Sequence, residues 1–262
     1  MTEPDLFPPD SVARVLDREM FLLLGGAAAL LLQVAHPLVA AGVAAHSRFR
    51  EEPFGRLQRT LDSTLTVVFG EPDRARAALR RIDRRHSSVA GTAADGRPYA
   101  ARDPRLLLWV QATLVLTSLR FYELVVGPLS ATERERYWSE TKPIAAALGI
   151  PDATLPLSLT DLETFERAML GSEVIPDGNS YELARAVMRP LPLPGVLYSP
   201  LDALTSGLLP DGLREPLGLR WRARERLLFR AVIVTLRLVR RVAPAWLAVV
   251  PHARHWERRH AR

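Results

Sequence analysis

His86 is the residue best placed to do chemistry, because of the pattern it belongs to. Ala75, Ala78, Leu79, Ile82, His86 and Val89 recur every three or four residues, so a helix through them carries the imidazole on its apolar face. An inward-pointing imidazole needs a partner, since a buried ring nitrogen left unpaired costs about 1–3 kcal/mol. Two kinds of partner stay open: a backbone carbonyl, as for an ordinary core histidine, or a metal or haem iron. Arg80, Arg81, Arg84 and Arg85 stand just before it, either as a solvated face or as ion-pair partners for the carboxylates of a porphyrin lying against this helix. Asp83 and His86, three apart, form half of the carboxylate–histidine pattern that helical di-iron proteins use twice. The one Glu-x-x-His, Glu257 to His260, belongs to the basic tail, which ranks a di-iron site low.

A second cluster lies upstream. Arg56, Arg59 and Thr60 fall at i, i+3 and i+4 and share one helix edge beside an apolar stripe. Such an edge is either a plain core–surface boundary or a set of donors aimed at one point, where they would stabilise polarised dioxygen or a developing oxyanion. His36, in Gln33-Val-Ala-His36-Pro37, is expected to be buried and to cap a helix end or line a pocket. His46 falls near a helix C-terminus, where the dipole favours a cation. Phosphate-loop, nucleophile-elbow and His-Glu-x-x-His signatures are absent from the sequence, so nucleotide, serine-hydrolase and zinc-protease readings have no motif behind them.

The elements that must hold these residues all read as helices. Asp10 or Ser11 caps a first helix leading to the apolar stretch Met20 to Ala35, and Pro37 suits the first turn of the next. Leu57, Leu61, Thr64, Leu65 and Val68 mark a helix from Arg56 to Val68 that Gly70 closes, and Asp73 opens the Arg/Ala-rich helix of His86. A loop is expected over Gly91 to Pro98. Asp103-Pro104 then starts a long apolar helix, Arg105 to Val126, and Ser130 with Glu133 forms a capping box for a helix that Gly149 ends. Thr160 with Glu163 repeats the start signal before Leu162 to Leu170, and a shorter helix follows from Ser180 to Met188. Pro190 to Pro200 reads as a connector. The last long helix, Trp221 to Val242, sets Leu227, Leu228, Val232, Leu236 and Val239 on one side and arginines on the other. With no convincing run of strands, the expectation is an all-α fold, and with no linker or repeat, a single domain over residues 1–262.

Composition narrows the chemistry. A chain of 262 residues without cysteine cannot form disulfides, Cys-ligated zinc, iron–sulfur clusters or a thiolate-bound haem, so any transition metal must rely on His or carboxylates. The net charge of +6 is carried by arginine, with Lys142 the only lysine. These charges are spread over several helices among acids, with no aromatic-interleaved stripe, which argues against nucleic acid as a partner. The acidic, proline-rich start, Met1 to Asp10, is unlike a secretory signal, so the expected location is the cytoplasm. Met20 to His46 is apolar enough to raise a membrane span, but Gly25-Gly26, Gln33, His36 and Pro37 interrupt it, and two buried helices are expected instead. Membrane association is not favoured.

Taken in order, QVAHP (Gln33 to Pro37), RLQRT (Arg56 to Thr60), RRHSSVAG (Arg84 to Gly91), YAARDPRLLLWV (Tyr99 to Val110) and LGIP (Leu148 to Pro151) resemble the family of latex-clearing protein, the rubber oxygenase, and the mycophenolic-acid side-chain oxygenase. The resemblance is strongest over residues 25–170. It implies an all-helical, globin-like core around a non-covalent haem b, and an oxygenase that attacks an isoprenoid- or alkene-like substrate with O₂, with an electron donor as a further partner. On this likeness His86 is the proximal iron ligand, Arg56 and Thr60 face the distal side with Arg59 where the rubber enzymes carry Lys, and Arg84, Arg85 and His36 belong to the cofactor's surroundings. Two departures stand out. The rubber enzymes carry a distal glutamate upstream of the arginine, whereas Met20 to Arg50 holds no carboxylate, and Gln111 stands where many relatives have His. The expected substrate is therefore a small apolar molecule rather than polyisoprene; the alternative is a haem- or lipid-binding helical protein without catalysis.

Overall fold

Ser11 opens the first helix: its Oγ accepts the Arg14 N–H at 3.2 Å, and α1 (Val12–Asp17) follows. A computed structural model of the chain describes residues 6–47, 53–191 and 193–260, the side chains of 53–59 excepted. A 3₁₀ turn (Met20–Gly25) leads into α2 (Gly26–Ala35), and Pro37 begins α3 (Pro37–His46). These two runs bend by 102° at their junction. Ala28, Leu31, Leu32, Ala35, His36 and Ala40 are wholly enclosed there, so the apolar stretch is core. No single described helix is long and apolar enough to cross a membrane.

α4 (Pro53–Phe69) and α5 (Pro72–His86) are joined by Gly70 and Glu71 alone and pack against each other, which requires them to run antiparallel. Ala75, Ala78 and Leu79 are buried, while Ile82, His86 and Val89 on the same stripe are half-buried. The expected loop after α5 is in fact a short antiparallel hairpin, β1 (Ala90–Thr92) and β2 (Pro98–Ala100). Tyr99 lies directly across from Gly91, and a Cβ on Gly91 would come within 2.6 Å of its hydroxyl, so glycine is what lets the strands close under that ring. The hairpin packs on α3 through Leu38, Ala41, Val89 and Tyr99.

The Asp103 carboxylate accepts the Arg105 and Leu106 N–H groups and starts α6 (Pro104–Val125), with Pro104 in its first turn. This is the central helix: Trp109, Leu116 and Leu119 are fully enclosed, and α2, the neighbouring α7 (Ala131–Ala147) and α8 (Leu159–Ser172) all lie against it. Ser130 and Glu133 form the expected capping box of α7. For α8 the box is Ser158 with Asp161, two residues before the expected Thr160 and Glu163. A buried Glu166 on α8 is held by both terminal nitrogens of Arg120 on α6.

α9 (Gly178–Met188) packs on α2 and α3, and the proline-rich connector gives way to α10 (Ser199–Leu208) and a short α11 (Asp211–Arg214). α10 lies against α12 (Ala223–Val242) so closely that a Cβ on Gly207 would meet the Phe229 ring at 2.3 Å. α13 (Ala245–Ala248) and α14 (Pro251–His260) close the described chain, with Trp256 packed beneath Arg14 of α1. The fold class is all-α, as expected.

Candidate active site

Because α4 and α5 form a hairpin turning at Gly70 and Glu71, the Arg56 and His86 positions lie nearly equally far from the turn, on facing helices at its open end. Thr60 lies one turn nearer to Gly70 and is exposed. Arg56 and Arg59 fall on the described backbone of α4, but their side chains lie outside the described residues.

His86 ends α5 half-buried, and its Nδ1 is enclosed with no hydrogen-bond partner among the described residues. Burial lowers its pKa below the ordinary 6.5, opposed by the Asp83 charge and reinforced by Arg102. The ring is therefore neutral at pH 7 and keeps a lone pair. Arg84 and Arg85 beside it are exposed, and their carbonyls accept the Ser87 and Ser88 hydroxyls at 2.8 and 3.1 Å, which rounds off the helix end. One turn back, Asp83 takes two hydrogen bonds from Arg102, Nε at 2.9 Å and a terminal nitrogen at 2.6 Å. That pair lines an open cleft of about 340 Å³ completed by Ala146 to Gly149 at the end of α7, and the His86 ring is not part of its lining. Three separated stretches of sequence thus meet here: the last turn of α5, the Arg102 turn before α6, and the Leu148-Gly149 bend. The volume lies at the lower end of the range for small-molecule pockets.

His36 is fully enclosed at the α2–α3 bend and does what the sequence suggested, capping α3: its Nδ1 accepts the Leu38 N–H at 3.2 Å. The proton is therefore on Nε2, which faces Glu173 Oε2 at 3.6 Å. Glu173 is gripped in turn by Arg105 through Nε at 2.8 Å and a terminal nitrogen. Hydrogen bonding to Arg105 is the chief reason that the Glu173 carboxyl titrates below its usual range. Burial pushes the His36 pKa down and Glu173 partly restores it. His46, at the end of α3, bonds the Ala90 carbonyl through Nε2 at 3.1 Å and meets the Tyr99 ring edge-on. Gln111 is buried and donates to the Thr141 carbonyl of α7 at 3.5 Å, a link between helices.

Sequence reasoning missed Glu173, Arg105 and Arg102. Glu173 is 137 residues from His36, and no local pattern ties the two. Only the Pro104 start of α6 hinted that Arg102 and Arg105 would project from a helix N-terminus.

Uncharacterized proteins of Mycobacterium bovis and of Mycobacterium tuberculosis are each 28% identical to this chain over 235 residues, covering 85% of this chain and 91% of theirs. No solved structure matches it. The family described as ER-bound oxygenase mpaB/B′ and rubber oxygenase, catalytic domain, matches residues 13–238, a span that runs from α1 into α12 and includes the whole α4–α5 hairpin. This chain belongs to that oxygenase family.

Proposed function

We propose that this protein is a haem b-dependent oxygenase of a small apolar substrate, with His86 as the iron's protein ligand. The observation that carries the proposal is the neutral, half-buried imidazole that ends α5, its enclosed Nδ1 without a hydrogen-bond partner among the described residues. A haem asks its protein for one axial donor, positive charge for two propionates, and an apolar slot for the macrocycle. The residues present supply the first two. His86 supplies the donor, and Arg84 and Arg85, exposed and without an ion pair among the described residues, supply the charge. When bound, haem b supplies the dioxygen chemistry that these side chains lack.

The chain's own contribution is placement. α4 carries Arg56, Arg59 and Thr60 toward the same end of the hairpin, where guanidinium and hydroxyl donors stabilise negative charge as it develops on oxygen. The Asp83–Arg102 pair fixes the turn before His86. His36 frames the region by holding the α2–α3 bend, and Glu173 with Arg105 holds the start of α6. Met20 to Arg50 brings no carboxylate to serve as a base, which favours a small alkene-like substrate over polyisoprene.

The test is an absorbance spectrum of the protein reconstituted with haem b. A Soret band that His86→Ala abolishes or strongly shifts is expected, while Arg56→Ala retains the band and changes the rate of ferrous autoxidation. A protein that takes up no haem overturns the reading. Substrate-dependent O₂ consumption then separates an oxygenase from a haem- or lipid-binding module.

A further inference from the structure

α12 carries two apolar faces where a surface helix needs one. Phe229, Val232, Ile233 and Leu236 turn toward α10, α6 and the Met20–Gly25 turn, with Ile233 buried. On the opposite side Leu227, Ala231, Val234, Leu238 and Val242 recur at intervals of four, three, four and four. At 100° per residue they fall within a sector of about 80°. All five are exposed, Leu227 at 69% and Val242 at 81%. Trp246, just beyond the helix, extends the surface and is 65% exposed. The sequence pattern alone had placed Leu227 and Val239 on the inner side; the close α10 contact at Gly207 rotates them outward.

The charges beside this stripe decide what covers it. Arg226, Arg230, Arg237 and Arg241 flank one side, all exposed, and none has a carboxylate partner among the described residues. Glu225, in the first turn, is the only acid on the helix. A second copy of the chain would bring another such row of arginines and no acids to meet them. A nucleic-acid backbone would satisfy the arginines but leave the leucines and valines in water. An anionic lipid surface answers both, accepting the apolar stripe and Trp246 at the level of the headgroups while the guanidinium groups meet phosphates. The geometry points to α12 and Trp246 as a docking face for an anionic membrane, with the helix lying in the interface plane. Nothing in this inference depends on haem.

The full-length protein is mixed with phosphatidylcholine vesicles, either plain or containing about 30% phosphatidylserine, and floated on a density gradient. Flotation is expected with the anionic vesicles only, and added salt should weaken it. Arg230→Gln and Arg241→Gln should each weaken partitioning roughly fivefold. Leu238→Glu, at an exposed position where the fold is not at risk, should weaken it on the order of tenfold or more. The Trp246 emission, assigned by difference against Trp246→Phe, should shift to the blue on vesicle addition. Absence of flotation, or flotation equal for wild type and Leu238→Glu, overturns the proposal. So does light scattering that shows a dimer in the wild type and a monomer in Leu238→Glu, since a second copy would then own the face.

Discussion

His36 is held by one hydrogen bond, at Nδ1, while its Nε2 stands 3.6 Å from Glu173 without one, and its energetics follow from that. Nδ1 replaces a missing helical acceptor for the Leu38 N–H, a cap whose removal costs about 1 kcal/mol. The rest of the ring is fully enclosed, so His36→Ala leaves a cavity as well, for a total loss of about 2–4 kcal/mol. His36→Asn restores a cap acceptor and should recover about 1 kcal/mol of that loss in urea denaturation. Equal losses for the two variants would mean that the cap contributes nothing. The pH dependence has a definite sign. Burial sets the folded pKa below the unfolded 6.5, so the unfolded chain takes up the proton first. The contribution of His36 is thus fully present above 6.5 and is lost as pH falls through and below it. An engaged surface histidine would behave in the opposite way.

Among elements, α1 is tied down by a titratable group. Asp17 ends it half-buried, with its carboxyl enclosed against α7 and accepting the Tyr137 hydroxyl at 3.0 Å. Burial raises its pKa from 3.8 to about 7, and the Tyr137 bond only partly opposes this. The folded state therefore holds a proton that the unfolded state has already released, and stability falls as pH climbs from about 4 to about 7. Partial exposure screens the effect to about 1–3 kcal/mol. Asp17→Asn should match the wild type near pH 4 and exceed it by that amount at pH 8, read as the difference between two denaturation curves. A difference that stays flat with pH would refute the enclosed carboxyl. Helices were legible because their signals are local: the Ser11, Asp103 and Ser130 caps all act where sequence placed them. The start of α8 was not, because Ser158-Leu-Thr160-Asp161-Leu-Glu163 contains two overlapping capping boxes. The choice is made from outside: Glu135 of α7 accepts the Leu159 N–H, and Glu163 is drawn to Arg134. The hairpin after α5 escaped notice for a similar reason, since its short strands gain from the Gly91–Tyr99 crossing and from packing on α3 rather than from any alternation of their own. At the candidate site the stripe leading to His86 was readable, whereas its half-burial depends on how α7 and the Arg102 turn cover that end.

For the molecule as a whole, the proposed ligand would join elements that are remote in sequence. The end of α5, the turn before α6 and the end of α7 border one open cleft through Asp83, Arg102 and Ala146 to Gly149, and the open end of α4 lies beside the first of them. A group that binds there only in the folded state stabilises the entire fold by mass action, by about 2.7 kcal/mol when free ligand stands at about a hundred times its Kd. For a chain of this length that corresponds to a rise in melting temperature of about 5–10 °C. Haem b should produce this shift in the wild type, and His86→Ala should lose it while keeping its own melting temperature within a few degrees, because a half-buried residue at a helix end carries little of the core. Thr60→Ala, at an exposed position on the opposite helix, should keep the full shift even if O₂ reactivity changes. A shift that survives in His86→Ala would place the porphyrin elsewhere, however strong the absorbance of the mixture. A shift lost in both variants would mean that the open end of the hairpin binds as one surface, with no single axial donor.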